Sequence, residues 1–167
     1  NENAPWIVKS RLEAIIESKG LVGNVVQNGR TLTITWPPVL PIYHINNSGF
    51  SLDSSEDCDM LMSYVEKIRP KLLILDPLYL MFEGDINSAK ELSPVLQFLL
   101  SVRDTYGCSI MVIHHWNKNG SSSRGGQRML GSAKLHGWTD SSLLLSRDEG
   151  DVVIEREFRS ASSGGKL

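Results

Sequence analysis

Cysteine is scarce in this chain: among 167 residues only Cys58 and Cys108 occur, each beside an apolar stretch. Two such thiols offer neither a disulfide framework nor a spaced metal-ligand set, and they read as reduced core residues of a cytosolic protein. Long hydrophobic runs are missing as well. No apolar stretch reaches the ~18 residues that span a bilayer, and the N-terminus lacks the basic-then-apolar pattern of a secretory signal. The expectation is a soluble, cytoplasmic protein with no membrane partner. Nor is there an excess of one charge. Seventeen Lys+Arg against 19 Asp+Glu leave a formal net charge of −2, which excludes a histone-like polycation, so any nucleic-acid contact has to come from local charge. An initiator methionine is also lacking. The chain opens Asn1-Glu2-Asn3 and runs straight into a helical pattern, so it is expected to be a piece of something longer.

What is present suffices for a core. The composition is 41% hydrophobic, and a chain of this size buries roughly two-thirds of its unfolded surface, so one domain over residues 1–167 needs no staple. Residues 5–19 place Val8, Leu12, Ile15 and Ile16 at helical spacing, with Asn3 as N-cap and Gly20 as stop. Val25-Val26, Asn28-Gly29 and alternating Leu32, Ile34 and Trp36 spell a hairpin, followed by a Pro-rich connection with a short strand at 42–45. A helix carrying Leu61, Tyr64, Val65 and Ile68 closes at Pro70. The run Leu72-Leu73-Ile74-Leu75 has no alternation, which predicts a strand buried on both faces of a helix-covered parallel sheet. Ser88 to Glu91 form a capping box for a helix bearing Leu92, Leu96, Leu99 and Leu100, in which Pro94 should produce a kink or a restart capped by Ser93.

A second apolar run, Ile110-Met111-Val112-Ile113, ends in His114-His115. Residues 117–126 are rich in Gly and Ser and read as a mobile loop; a helix near 127–136, a strand at 142–145, a Gly150 turn and a strand at 152–158 complete the chain. Alternating helices and strands predict an α/β fold with a mainly parallel central sheet, a hairpin insertion and C-terminal strands.

Ligands of open parallel sheets bind at the carboxyl ends of the strands, and both apolar runs turn polar there, at Asp76 and at His114-His115. An apolar quartet followed by Asp is the Walker B pattern, whose carboxylate holds the water shell of nucleotide-bound Mg²⁺. The structural alternative is that Asp76, followed by Pro77, only ends a strand. Successive strand residues point to opposite faces, so one histidine of the pair faces a ligand, unless both are merely hydrogen-bonded residues of the frame. Between Ser109 and Thr139 there is no acidic residue, while Lys118, Arg124, Arg128 and Lys134 lie in that span beside Trp116. This pattern suits a phosphodiester backbone and a stacking base, against the plainer account of a solvated loop.

Four segments occur together in order: Leu72 to Leu78 with Asp76-Pro77, Val112 to His115 with Lys118, the tract Gly131-Ser132-Ala133 to Trp138-Thr139-Asp140, and Arg159 after a strand. This series resembles the RecA-like ATPases of the plasmid RepA helicase type, relatives of the replicative DnaB-type helicases, over residues of about 70 to 160. The resemblance implies ATP and Mg²⁺ as cofactors, single-stranded DNA as partner, and a homo-oligomer, often a hexameric ring. By position, Asp76 resembles the Walker B carboxylate and His115 the γ-phosphate sensor, with His114 less favoured. Glu2 stands where a water-orienting catalytic Glu precedes a helix, and Arg159 resembles the arginine finger. Lys118 and Arg124 fall in the DNA-binding loop, with Arg128 and Trp116 as further nucleic-acid candidates.

Two departures bear on activity. No Gly-x-x-x-x-Gly-Lys-Ser/Thr occurs in the 167 residues, so the phosphate-cradling amides and their Lys are expected upstream of Asn1. Glu157 stands where relatives often carry Lys. A non-hydrolysing RecA-like module for nucleic acid or partner subunits is the main alternative; a metal-dependent hydrolase using Asp76, His114 and His115 is a weaker one.

Overall fold

A computed structural model describes residues 5–20, 24–28, 31–35, 42–45, 49–115 and 133–160. Contacts divide the chain into two compact units, Asn1–Phe50 and Ser51–Leu167. In the first, α1 (Pro5–Ser18) ends where Gly20 adopts φ +62° and donates its amide to the Glu17 carbonyl at 3.0 Å. That left-handed turn is the glycine stop read from sequence. Three antiparallel strands follow, β1 (Asn24–Asn28), β2 (Thr31–Thr35) and β3 (Ile42–Ile45), in the order β1-β2-β3. The expected hairpin forms, but Asn28 is itself in the ladder, paired with Thr31, so the register lies one residue beyond an Asn28-Gly29 turn.

The second unit begins with α2 (Ser55–Ile68). Ser54 caps it, accepting the Asp57 amide at 3.3 Å, and the helix closes at Arg69 in the left-handed region. Then β4 (Leu72–Leu75) leads through a single 3₁₀ turn, Leu78–Leu80, to α3 (Ala89–Tyr106) and β5 (Ser109–Val112). β4 and β5 pair in parallel, Leu72 with Ser109 through Leu75 with Val112. A parallel pair needs a crossover, and α3 supplies it, making a βαβ unit. The buried stripe of α3, Leu92, Val95, Leu96, Leu99 and Val102, forms the core with Leu75, Leu78, Phe82 and Cys108. Next come α4 (Ala133–Trp138), whose Leu135 joins that core, and the antiparallel hairpin of β6 (Ser141–Asp148) and β7 (Asp151–Phe158). Its two-residue turn uses Glu149 at φ 48° and Gly150 at φ 99°, the primed geometry that suits strand twist. The chain is thus α/β, with a parallel strand pair, flanking helices and antiparallel strands, consistent with a RecA-like fold.

Two expectations need correction. β4 and β5 are not buried on both faces: Leu72, Ile74, Met111 and Ile113 are 45%, 53%, 41% and 42% exposed, while Leu75 on the opposite face is 4% exposed. An all-apolar strand announces that both faces can be covered; which faces are covered depends on elements outside the strand. Pro94 neither restarts nor divides α3. The helix runs through it, and Ser93, instead of capping, turns its hydroxyl back to the Ala89 carbonyl, an i−4 bond open to serine inside a helix. The last helix, Ala133–Trp138, falls within the expected region and runs past His136 to Trp138; residues 127–132 and the Gly/Ser-rich loop lie outside the described residues.

Candidate functional site

The site is built by the exit of β4 and β5 from their sheet. Beyond the last strand pair, the Ile113 amide donates to the Leu75 carbonyl at 2.8 Å and the Leu78 amide donates to the Ile113 carbonyl at 3.0 Å. These bonds extend the pairing by one step after the strands end, so Asp76 and His114-His115 leave at one shared carboxyl edge. Asp76 is exposed, and no hydrogen bond or ion pair engages it among the described residues. His115 is exposed and His114 half-buried.

Tyr79 is the residue that sequence reasoning missed. It sits in the 3₁₀ turn after Asp76, and its ring centroid lies 5.1 Å from that of His115, tilted by 56°. No local pattern marks it, because the contact joins segments on either side of α3.

The loop from Asp76 to α3 is held by carboxylates. Asp53 accepts the Glu83 amide at 2.6 Å, Glu91 accepts the Asp85 amide at 2.9 Å, and Asp85 accepts both Asn87 nitrogens, the amide at 2.9 Å and Nδ2 at 3.0 Å. The capping box is therefore half realised. Ser88 caps Glu91, but the Glu91 carboxylate reaches Asp85 rather than Ser88. Gly84 is required by close approach, since a Cβ there would meet the Phe82 ring at 2.7 Å and a Glu91 carboxylate oxygen at 2.9 Å.

Arg159 lies in a different sheet, one residue beyond β7. Its amide donates to the Asp140 carbonyl at 2.9 Å, and its guanidinium donates to the Asp140 carboxylate at 3.3 Å and to the Gly137 carbonyl. Nearby, His136 Nε2 lies 3.2 Å from Glu157 Oε1, tying α4 to β7. A groove of about 390 Å³ between α3 and α4, lined by Leu96, Leu100, Lys134 and Trp138 among others, draws no residue from the Asp76 edge. Glu2, Trp116, Lys118, Arg124 and Arg128 lie outside the described residues.

Burial raises the Cys108 thiol above its ordinary range, and burial together with Asp57, Asp59 and Asp53 does the same for Cys58. Both stay protonated near neutrality and are poor nucleophiles or ligands. Among the described residues no group of three or more His, Cys, Asp or Glu could hold a metal ion, so the metal-dependent hydrolase finds no ligand set there. Asp76 suits a different demand. Mg²⁺ on a nucleotide keeps several waters and takes one or two protein carboxylates, and an unengaged carboxylate at a sheet edge fits that donor set. No helix among the described residues is long and apolar enough to cross a membrane.

The parallel strand pair brings Asp76 and the His114-His115 pair to one carboxyl edge, the end at which open α/β sheets bind their ligands. Comparison with known proteins specifies the class: a family model described as an AAA domain matches residues 2–121. The chain belongs to that AAA-domain family, an ATPase-type nucleotide-binding domain for which nucleotide is the implied ligand. No curated protein and no solved structure matches the chain.

Proposed function

We propose that the chain is the core of an ATP-dependent nucleic-acid motor, a helicase or translocase of the plasmid RepA and DnaB type. It works as one RecA-like domain over residues 1–167, a C-terminal portion of the ATPase core. The observation that carries this reading is the common exit of Asp76 and His115 at the β4–β5 edge. Bound Mg²⁺ and ATP supply the phosphoryl bond and the charge neutralisation that such motors use. Asp76 orients the ion's water shell as a Walker B carboxylate. His115 donates a hydrogen bond toward the γ-phosphate, with His114 behind it. Glu2 orients the attacking water. Arg159 exchanges its surface partners, Asp140 and Gly137, for the nucleotide of a neighbouring subunit. An exposed ion pair is worth only ~0–1 kcal/mol, so this exchange costs little. Lys118, Arg124 and Arg128 grip the single-stranded DNA backbone and Trp116 stacks on a base. The assembly is a homo-oligomer, a hexameric ring, working in the cytoplasm.

A second reading, a non-hydrolysing RecA-like module for nucleic acid or partner subunits, is favoured by one observation: the 167 residues contain no Gly-x-x-x-x-Gly-Lys-Ser/Thr. One experiment separates the two. ATP hydrolysis and single-stranded DNA affinity are measured for the full reading frame containing this chain and for Asp76→Asn, Lys118→Ala and Arg124→Ala. The motor predicts that Asp76→Asn lowers hydrolysis by about a hundredfold, the scale of losing one preorganised electrostatic group. It also predicts that each basic-residue variant flattens the salt dependence of DNA binding by about 0.7 in log–log slope. Absent hydrolysis with intact, salt-sensitive DNA binding supports the module. Unchanged hydrolysis in Asp76→Asn removes Asp76 from the mechanism.

A further inference from the structure

The backbone around Tyr79 is fixed on both sides. Leu78, on one side, has 0% exposure and donates its amide to Ile113 at 3.0 Å; Met81, on the other, donates to Leu78 at 2.9 Å and accepts the Leu52 amide at 2.7 Å. Tyr79 itself is half-buried, whereas His115 is exposed and lies beyond the end of β5. A two-torsion aromatic ring on a pinned backbone therefore meets a histidine whose own backbone has left the sheet. Their separation of 5.1 Å and tilt of 56° fall within the range of favourable ring pairs.

We infer that Tyr79 is a positioning residue for His115, holding the imidazole over the Asp76 edge so that one ring nitrogen meets the terminal phosphate of a bound nucleoside triphosphate. This rests on the reading of His115 given above. The physical reason is rotamer restriction. An exposed histidine samples several side-chain rotamers, and only one directs its nitrogen at a given point. A ring contact of this kind favours one rotamer by up to about tenfold, which becomes affinity for any group that this rotamer meets. The contact with His115 is between the two rings, and phenylalanine keeps that ring.

The test uses the full reading frame containing this chain, with Mg²⁺·ATPγS and Mg²⁺·ADP as probes, for wild type, Tyr79→Phe, Tyr79→Leu and His115→Ala. The first readout, free of nucleotide, is the NMR shift of the His115 ring protons, which a neighbouring aromatic ring displaces. Wild type and Tyr79→Phe should share the displacement and Tyr79→Leu should lose it. The second readout is the ratio of triphosphate to diphosphate affinity. Loss of a hydrogen bond to a charged group predicts a fall of about tenfold or more in His115→Ala, a smaller fall in Tyr79→Leu, and none in Tyr79→Phe. A falling ratio in His115→Ala with an unchanged one in Tyr79→Leu overturns the positioning role while leaving His115 as sensor. An unchanged ratio in His115→Ala, or no nucleotide binding at all, defeats the sensor reading and with it the role proposed for Tyr79 toward phosphate. Equal His115 shifts in wild type and Tyr79→Leu overturn the ring contact itself. Native chemical-shift dispersion in Tyr79→Leu excludes unfolding as the cause of any loss.

Discussion

The edge of the β4–β5 pair and the base of the β6–β7 hairpin each carry a charged residue just past the end of a strand, and they treat that charge in opposite ways. Asp76 is exposed and unengaged among the described residues, and the loop behind it is fastened by Asp53 and Glu91. Arg159 is joined through its amide and its guanidinium to the segment 137–140 of its own chain. A site needs a group free to meet its ligand on a frame that does not move. At the β4–β5 edge Asp76 is exposed, and the Asp53 and Glu91 carboxylates tie down the loop behind it. The hairpin base has the frame, but its charge is occupied, and any role toward a second subunit requires that the bond be exchanged.

The comparison can be sharpened by substitution, starting with the frame itself. Leu99 is fully buried on α3, the crossover that brings β4 and β5 together. Leu99→Ala should destabilise the fold by about 3 kcal/mol, the middle of the range for core truncations, read from denaturant unfolding with an unchanged m-value. A loss under about 1 kcal/mol would mean that α3 does not hold the edge in place. At the hairpin base the effect should be much smaller. The Asp140 carboxylate is 76% exposed and the Arg159 side chain 49%, so Asp140→Ala should cost less than about 1 kcal/mol, and high salt should shrink the difference. A larger cost would make Arg159 a structural tie and remove it from consideration as a finger.

Much of this was legible in the sequence, and the reasons differ by element. The two apolar quartets, separated by an amphipathic helix with a Ser cap, carried their own grammar; their parallel pairing was expected from the lack of alternation and the helix between them. Asp76 and His115 were singled out because polar residues after such a run fall at the strand's carboxyl end, where the structure has them. The exposed face of Leu72, Ile74, Met111 and Ile113 was not legible, since an apolar strand does not encode what packs against it. Nor was the continuity of α3 through Pro94, where the surrounding buried leucines outweigh one missing amide donor. Tyr79 escaped because its role is a contact across two segments 36 positions apart (115 − 79), and periodicity reports only local order. The grip of Asp140 on Arg159 escaped for the same reason, being set by the register of β6 with β7.

The central claim is that one nucleotide-bound metal ion rests at the β4–β5 edge, near Asp76 and His115 and away from the chain's own Arg159. Mn²⁺ with ADP tests it directly, because the ion broadens NMR signals of nearby nuclei and leaves distant ones sharp. The account predicts broadening at Asp76, Tyr79 and His115, sharp signals at Gly137 and Arg159 of the unassembled chain, and loss of the broadening in Asp76→Asn. Broadening centred on the hairpin base, or an undiminished effect in Asp76→Asn, would contradict it.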